Sequence, residues 1–75
     1  MKKKELLEEF GATSEKYNQV RDVAFQNMSD DLVSLVGKYG IIFGEVENNS
    51  LSEIEIDSRA KELNSIYKEI VKEVK

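Results

Sequence analysis

Apolar residues recur at spacings of three and four along the first half of the chain, apart from one adjacent pair. After Tyr17 they are Val20, Ala24, Met28, Leu32, Leu35, Val36 and Tyr39. This is the period of an amphipathic α-helix, and it predicts a long helix over about 14–39 with Thr13 or Ser14 as its cap. Because Gly37 and Gly40 each disfavour a helix interior by about 1 kcal/mol, the pattern leaves the end of this helix open.

A second apolar stripe follows a polar segment at 45–50. Its members are Ile56, Ala60, Leu63, Tyr67, Ile70 and Val74, and they alternate in steps of four and three. These steps form a heptad seam, and the two overlapping capping boxes that start at Ser50 and Ser52 mark a helix start. The pattern predicts a connector over about 40–50 and a second long helix over about 51–74.

The first ten residues carry a shorter apolar face made by Leu6, Leu7 and Phe10, and Gly11 follows as a helix stop. They predict a short helix over about 2–10. The expected fold class is therefore all-α, a helical hairpin of two long helices with a short N-terminal helix, in a single domain over 1–75. The broad stripe of the last helix calls for further cover, so we expect a homo-oligomeric bundle.

The amino-acid composition excludes several classes of catalytic and metal site. The chain of 75 residues has no Cys, His, Pro or Trp. Zinc fingers, thiol chemistry and Ser-His-Asp triads all need residues that are missing. A phosphate-binding loop of the Gly-rich type is also missing. At this size the hydrophobic gain and the entropy loss of folding nearly cancel, which again favours self-association. We expect a protein that is not an enzyme and uses no cofactor or metal.

The net charge is -4, from fifteen acidic and eleven basic residues. Proteins that bind duplex nucleic acid normally have a basic surface, so that class of partner is disfavoured. No apolar run approaches the roughly 18 residues of a membrane span, and the basic start lacks the apolar core of a signal peptide. The sequence predicts a cytoplasmic protein with no membrane partner.

Two arginines and one tyrosine are the candidate ligand-binding residues. Tyr17 and Arg21 are four residues apart and share a helix face, where a ring can stack on a base and a guanidinium can bind phosphate. Arg59 lies beside the heptad seam and can face an anion across an interface between subunits. The alternatives are structural: Tyr17 caps the core with Arg21 stacked on it, and Arg59 is a salt-bridged flank position. The run Lys2–Lys4 and the pair Asp30–Asp31 are interpreted as solvated surface.

The segment 17–24, Tyr-Asn-Gln-Val-Arg-Asp-Val-Ala, resembles the first-helix signature of a family of small phage proteins. These are the anti-CBASS cyclic-nucleotide sponges, whose hairpin domain is shared with an anti-Thoeris sponge. Tyr17, Val20, Arg21 and Ala24 fill the family's pattern, but the Pro-rich segment common before the tyrosine is missing and the connector is longer. The resemblance implies a non-catalytic oligomer in the host cytoplasm that holds cyclic nucleotides between subunits.

Two other functions stay open. The segment 60–64, Ala-Lys-Glu-Leu-Asn, is similar to a motif of the sporulation aspartyl-phosphate phosphatases, although Ala60 and Asn64 replace the motif's serine and aspartate. The chain also fits a small helical module or regulator that binds a protein through its apolar stripe. A sponge gains thermal stability from a cyclic nucleotide, whereas a protein-binding module does not.

Overall fold

The computed structural model describes residues 1–26 and 29–72. Four α-helices span this part of the chain: α1 is Lys3–Phe10, α2 is Glu15–Gln26, α3 is Asp30–Asn48 and α4 is Glu53–Lys72. No strand occurs among the described residues. The prediction of an all-α fold is confirmed. None of the described helices is long and apolar enough to cross a membrane.

The chain turns sharply at the end of α1. The Gly11 N–H donates to the carbonyl of Leu7 at 2.9 Å and closes the last turn of the helix. A Cβ atom at position 11 would lie 2.2 Å from the Leu7 carbonyl oxygen, so only glycine fits here. Ser14 then starts α2, because its Oγ accepts from the Tyr17 N–H at 3.1 Å and donates to the Gly11 carbonyl at 2.7 Å.

The single helix predicted over 14–39 is wrong, because α2 and α3 are separate helices. Ser29 caps α3 by accepting a hydrogen bond from the Leu32 N–H at 3.3 Å, and Asp30 and Asp31 lie in its first turn. Carboxylates are favourable at this positive end of the helix dipole. The acidic pair therefore marks a helix start and not the middle of a long helix.

The connector predicted over 40–50 is also misplaced, since α3 continues to Asn48. Tyr39 and Val46 are buried seven residues apart on one face of the helix, and this packing outweighs the poor helix propensity of the glycines between them. The last helix starts at Glu53, where Ser52 and Glu55 form the capping box. The predicted end near Val74 lies outside the described residues.

The core lies where the four helices meet. Its buried apolar members are Leu6, Phe10, Val20, Val23, Leu32, Tyr39, Val46, Ile56, Leu63 and Ile70. The most extensive helix pair is α3 with α4, and α1 contacts all three other helices. At the centre the Phe10 and Tyr39 rings pack edge to face with centroids 6.3 Å apart. This contact joins α1 to α3, and α2 also packs on α3 with a cleft between the two helices.

Candidate functional site

A cleft of about 220 Å³ lies between α2 and α3, and we call it the aromatic cleft. It is lined by Tyr17, Val20, Arg21, Ala24, Phe25, Val36, Tyr39 and Gly40. The cleft is more enclosed than the neighbouring groove between α3 and α4. Its lining is mainly apolar, a composition typical of ligand sites.

The structure brings two of the three predicted site residues together. Tyr17 and Arg21 both line the aromatic cleft, Tyr17 half-buried and Arg21 exposed. Within residues 1–26 and 29–72 no acidic side chain lies within ion-pair distance of Arg21. Arg21 therefore lies at an apolar cleft with its side chain exposed to solvent, where an anion can accept its donors.

Arg59 does not reach this cleft. Its Nε donates to Glu45 Oε2 at 3.1 Å, and its Nη1 lies 3.7 Å from Glu62 Oε1. These two carboxylates hold the guanidinium between α3 and α4, half-buried. Arg59 thus has the structural role that the sequence offered as the alternative, a salt-bridged flank position.

Four further residues of the cleft were missed by the sequence analysis: Phe25, Val36, Tyr39 and Gly40. A signal existed for Phe25, which continues the four-residue spacing of Tyr17 and Arg21 and so lies on their helix face. Phe25 is 79% exposed, which is unusual for an aromatic side chain. The contribution of α3 carried no signal, because the predicted single helix placed α2 and α3 in line and not side by side.

Tyr39 forms the floor of the aromatic cleft. Its hydroxyl donates to the Phe10 carbonyl at 2.8 Å in the interior. Burial, with smaller contributions from the charges of Tyr17, Glu9 and Tyr67, raises the pKa of the Tyr39 phenol above its ordinary value. The phenol therefore stays neutral over the physiological range and acts as a fixed hydrogen-bond donor to the backbone.

Lys16 joins α1, α2 and α4 on the other side of α2. Its Nζ donates to Glu9 Oε1 at 2.9 Å and to Asn64 Oδ1 at 3.2 Å. The same ammonium lies 4.8 Å from the Phe10 ring centroid and 5.4 Å from that of Tyr67. These contacts with Glu9, Asn64 and the two rings show that Lys16 stabilises the packing of three helices.

The segment 60–64 lies within α4, where its side chains serve packing. Leu63 is fully buried in the core. Asn64 accepts the hydrogen bond from Lys16, and Ala60 packs against the core. In the described part of the chain, no group of three or more acidic side chains is placed to hold a metal ion.

A second groove of about 440 Å³ runs between α3 and α4. Two exposed lysines, Lys38 and Lys61, flank Ile42 and Ile66 there, and Glu62 lies at its edge. The groove is open and has no aromatic side chain in its wall, so it offers an anion no ring to stack on. Comparison of the chain with protein-family models, curated proteins and solved structures found no match.

Proposed function

We propose that the protein is a non-catalytic binding protein that sequesters a cyclic nucleotide, or another nucleotide-derived signal, in the aromatic cleft. The observation that carries this proposal is the placement of Tyr17 and Arg21 on one cleft, with no acidic partner for Arg21 among the described residues. A nucleotide presents a flat base and a phosphate. The cleft offers an aromatic face and a free guanidinium for the same two groups.

The energetics favour this pairing. Stacking on an aromatic side chain contributes about 1–3 kcal/mol per base. A guanidinium binds phosphate through two parallel N–H donors, which fixes the position of the phosphate as well as attracting its charge. Since α2 is anchored to the core at Val20 and Val23, the backbone that carries Tyr17 and Arg21 is already ordered before a ligand binds.

The size of the cleft supports an assembly. Its volume of about 220 Å³ is smaller than the roughly 300–1,000 Å³ of most ligand pockets. One chain therefore covers only part of a cyclic dinucleotide and offers one guanidinium to two phosphates. The proposal accordingly includes a homo-oligomer of the helical chain, in which a second copy supplies the remaining contacts, with Arg59 as a candidate cation.

Thermal unfolding with three probes tests the proposal: cyclic di-GMP, cyclic GMP–AMP and a cyclic triadenylate. A ligand at one hundred times its Kd stabilises the folded chain by about 2.7 kcal/mol, so binding raises the Tm. Arg21→Ala should weaken the binding by roughly 1.5–3 kcal/mol, the usual contribution of a charged hydrogen bond. Arg21 is exposed, so the variant should fold as the parent does.

Lys4→Ala is the matched control, because it removes the same charge from an exposed position on α1. It should leave the binding unchanged. Arg21→Lys keeps the charge and loses the two-donor geometry, so an intermediate affinity is expected. An unchanged Tm with all three probes at tens of micromolar, or full affinity in Arg21→Ala, contradicts the proposal.

A protein-interaction module is the second candidate function. The exposure of Phe25 at the mouth of the cleft favours it, since aromatic residues are enriched at interfaces between proteins. The two functions separate in the same experiment. Phe25→Ser should lower the affinity for a cyclic nucleotide if the ring covers a base, whereas a module for a protein partner shows no nucleotide-dependent Tm in the parent chain.

A further inference from the structure

One side of α3 points away from the core and carries apolar side chains. Val33, Gly37, Ile41 and Gly44 follow one another at spacings of four, four and three, so they share this side, which we call the outer face of α3. Ile41 is 66% exposed and Val33 is 49% exposed. No atom lies within 4 Å of a Cβ built at Gly37, and at Gly44 only the Asn48 side-chain nitrogen comes within 4.0 Å.

The outer face is also free of charge. Lys38 is the only charged residue between positions 32 and 44, in a chain where fifteen acidic and eleven basic residues are spread over 75 positions. Two copies of a protein with a net charge of -4 repel each other. They approach at the lowest electrostatic cost through a face without carboxylates, and the outer face of α3 is such a face.

We propose that the outer face of α3 packs on the same face of a second copy, with the two helices antiparallel about a two-fold axis near position 39. In this register Ile41 lies over the partner's Gly37, and Val33 lies over the partner's Gly44. The pair 41 and 37 has its midpoint at position 39, and the pair 33 and 44 has its midpoint half a residue before it. This difference is less than about 1 Å at ~1.5 Å per residue, so one two-fold axis serves both pairs. One register therefore places two protruding side chains of each copy over two glycine gaps of the other.

The antiparallel register is also the one that charge favours. It places Asp30, at the start of α3, opposite the partner's Asn48, whose amide can donate to the carboxylate. It sets carboxylates level with each other only where Asp31 meets the partner's Glu47, whereas in a parallel pair all four carboxylates of α3 oppose their own copies. A parallel arrangement would set Asp30 against the partner's Asp30 and Ile41 against the partner's Ile41, leaving glycine facing glycine. A two-fold interface needs one patch that complements itself, and the outer face does so only in the antiparallel direction.

The contact runs from Val33 to Gly44, twelve residues or about 18 Å at ~1.5 Å per residue. Such an interface is at the small end of the range for specific complexes, so we expect a weak, concentration-dependent dimer. The proposal does not depend on what fills the aromatic cleft. It concerns only how two copies of the chain associate, so its outcome is independent of the ligand-binding experiments.

Sedimentation of the full chain from micromolar to about millimolar concentration tests the dimer. Ile41→Glu places a charge on the neutral face and should raise the Kd at least tenfold, since a charged side chain would be buried against glycine. Ile54→Glu is the matched control, because Ile54 is 82% exposed on α4 and lies outside the proposed contact. A chain that stays monomeric throughout, or an equal effect of both variants, overturns the proposal.

Gly37→Ala separates an effect on the stability of one chain from an effect on the affinity of the dimer. Because the added methyl meets nothing in one chain, the higher helix propensity of alanine should raise the Tm of the monomer by about 4–8 °C. In the dimer the same methyl meets the partner's Ile41, and the Kd should rise about tenfold. A variant that melts higher and still dimerises with the parent's affinity would place the contact elsewhere.

Cysteine pairing tests the register, and the chain has no native cysteine to interfere. A mixture of Gly37→Cys and Ile41→Cys proteins should form the mixed disulfide faster than either variant links to itself, because positions 37 and 41 oppose each other. Position 37 of one copy is offset from position 37 of the other by four residues along the helix, about 6 Å at ~1.5 Å per residue, and the same holds for position 41. Faster self-linking, or equal linking by an Ile54→Cys control, rules out the antiparallel register.

Discussion

The Tyr39 hydroxyl has a specific task in the core. At the end of α1 the Phe10 carbonyl has no partner within its own helix, and the Tyr39 hydroxyl donates to it at 2.8 Å. Tyr39 is 2% exposed, so water does not replace this bond. One side chain of α3 thus satisfies the backbone of α1, and the same residue lines the aromatic cleft.

Tyr39→Phe should lower the free energy of unfolding by about 1–3 kcal/mol, because it leaves a buried carbonyl without a donor. Urea unfolding measures the change. Tyr17→Phe is the control, since within the described residues the Tyr17 hydroxyl has no hydrogen bond, and its effect should be small. Equal effects of the two variants would show that the bond to Phe10 contributes no stability.

The same residue gives stability a dependence on alkaline pH. The pKa of Tyr39 is raised in the fold, mainly by burial, so above its ordinary value near 10 the unfolded chain loses this proton and the folded chain keeps it. The stability that the raised Tyr39 pKa adds is fully present below pH ~10 and is lost as the pH rises further. Tyr39→Phe removes the titrating group, so its stability should fall less steeply above pH 10 than that of the parent.

At the level of helices, short polar residues set the boundaries. Ser14, Ser29 and Ser52 each accept a backbone N–H in the first turn of α2, α3 and α4. The sequence offered two of them among its alternatives, Ser14 beside Thr13 and Ser52 beside Ser50, from the cap and capping-box patterns. It missed Ser29 because the apolar spacing runs on through this position, and periodicity alone does not distinguish one long helix from two successive helices.

Ser52→Ala tests the contribution of a cap. Ser52 forms the capping box with Glu55, whose pKa is lowered by hydrogen bonds from the Ser52 backbone and hydroxyl. Losing the cap should lower stability by about 0.5–2 kcal/mol in urea unfolding. Ser58→Ala, inside α4 and exposed, is the control and should be neutral or slightly stabilising. In the variant the Glu55 pKa should move back toward its ordinary value, as carboxyl NMR titration reports.

The lowered pKa also fixes the direction of the pH effect. A carboxyl whose pKa is lower in the fold adds stability above its ordinary pKa of 4.5, and this is lost as the pH falls below that value. The difference in stability between the parent and Ser52→Ala should therefore shrink in acid. A difference that stays constant down to pH 2 would show that the cap acts through the hydroxyl alone.

At the scale of the whole molecule, the sequence predicted the core better than the site. Ile56, Leu63 and Ile70 are buried at the spacing of seven that the heptad seam indicated. Burial follows from a local period, which sequence displays directly. The aromatic cleft needs α2 and α3 side by side, and no apolar period records how two successive helices pack on each other. Tyr17 and Arg21 were found because they share one helix.

Leu63→Ala measures how far the seam of α4 holds the molecule together. Leu63 is fully buried, and the cavity left by its removal should lower the free energy of unfolding by about 2–5 kcal/mol. A chain of 75 residues has little stability to lose, so Ile70→Val, expected at about 0.5–1.5 kcal/mol, provides a milder variant at another fully buried position.

Ile54→Ala is the matched control, because the same helix carries this residue at 82% exposure, and its effect should stay within about 0.5 kcal/mol. Circular dichroism during urea unfolding gives all three values. If Leu63→Ala and Ile54→Ala have similar effects, α4 is not packed as described. The expected result is that Leu63→Ala unfolds the chain or destabilises it strongly, while Ile70→Val shows its smaller effect. Because α1, α2 and α3 all contact α4, that result means that the seam of α4 joins them into one core.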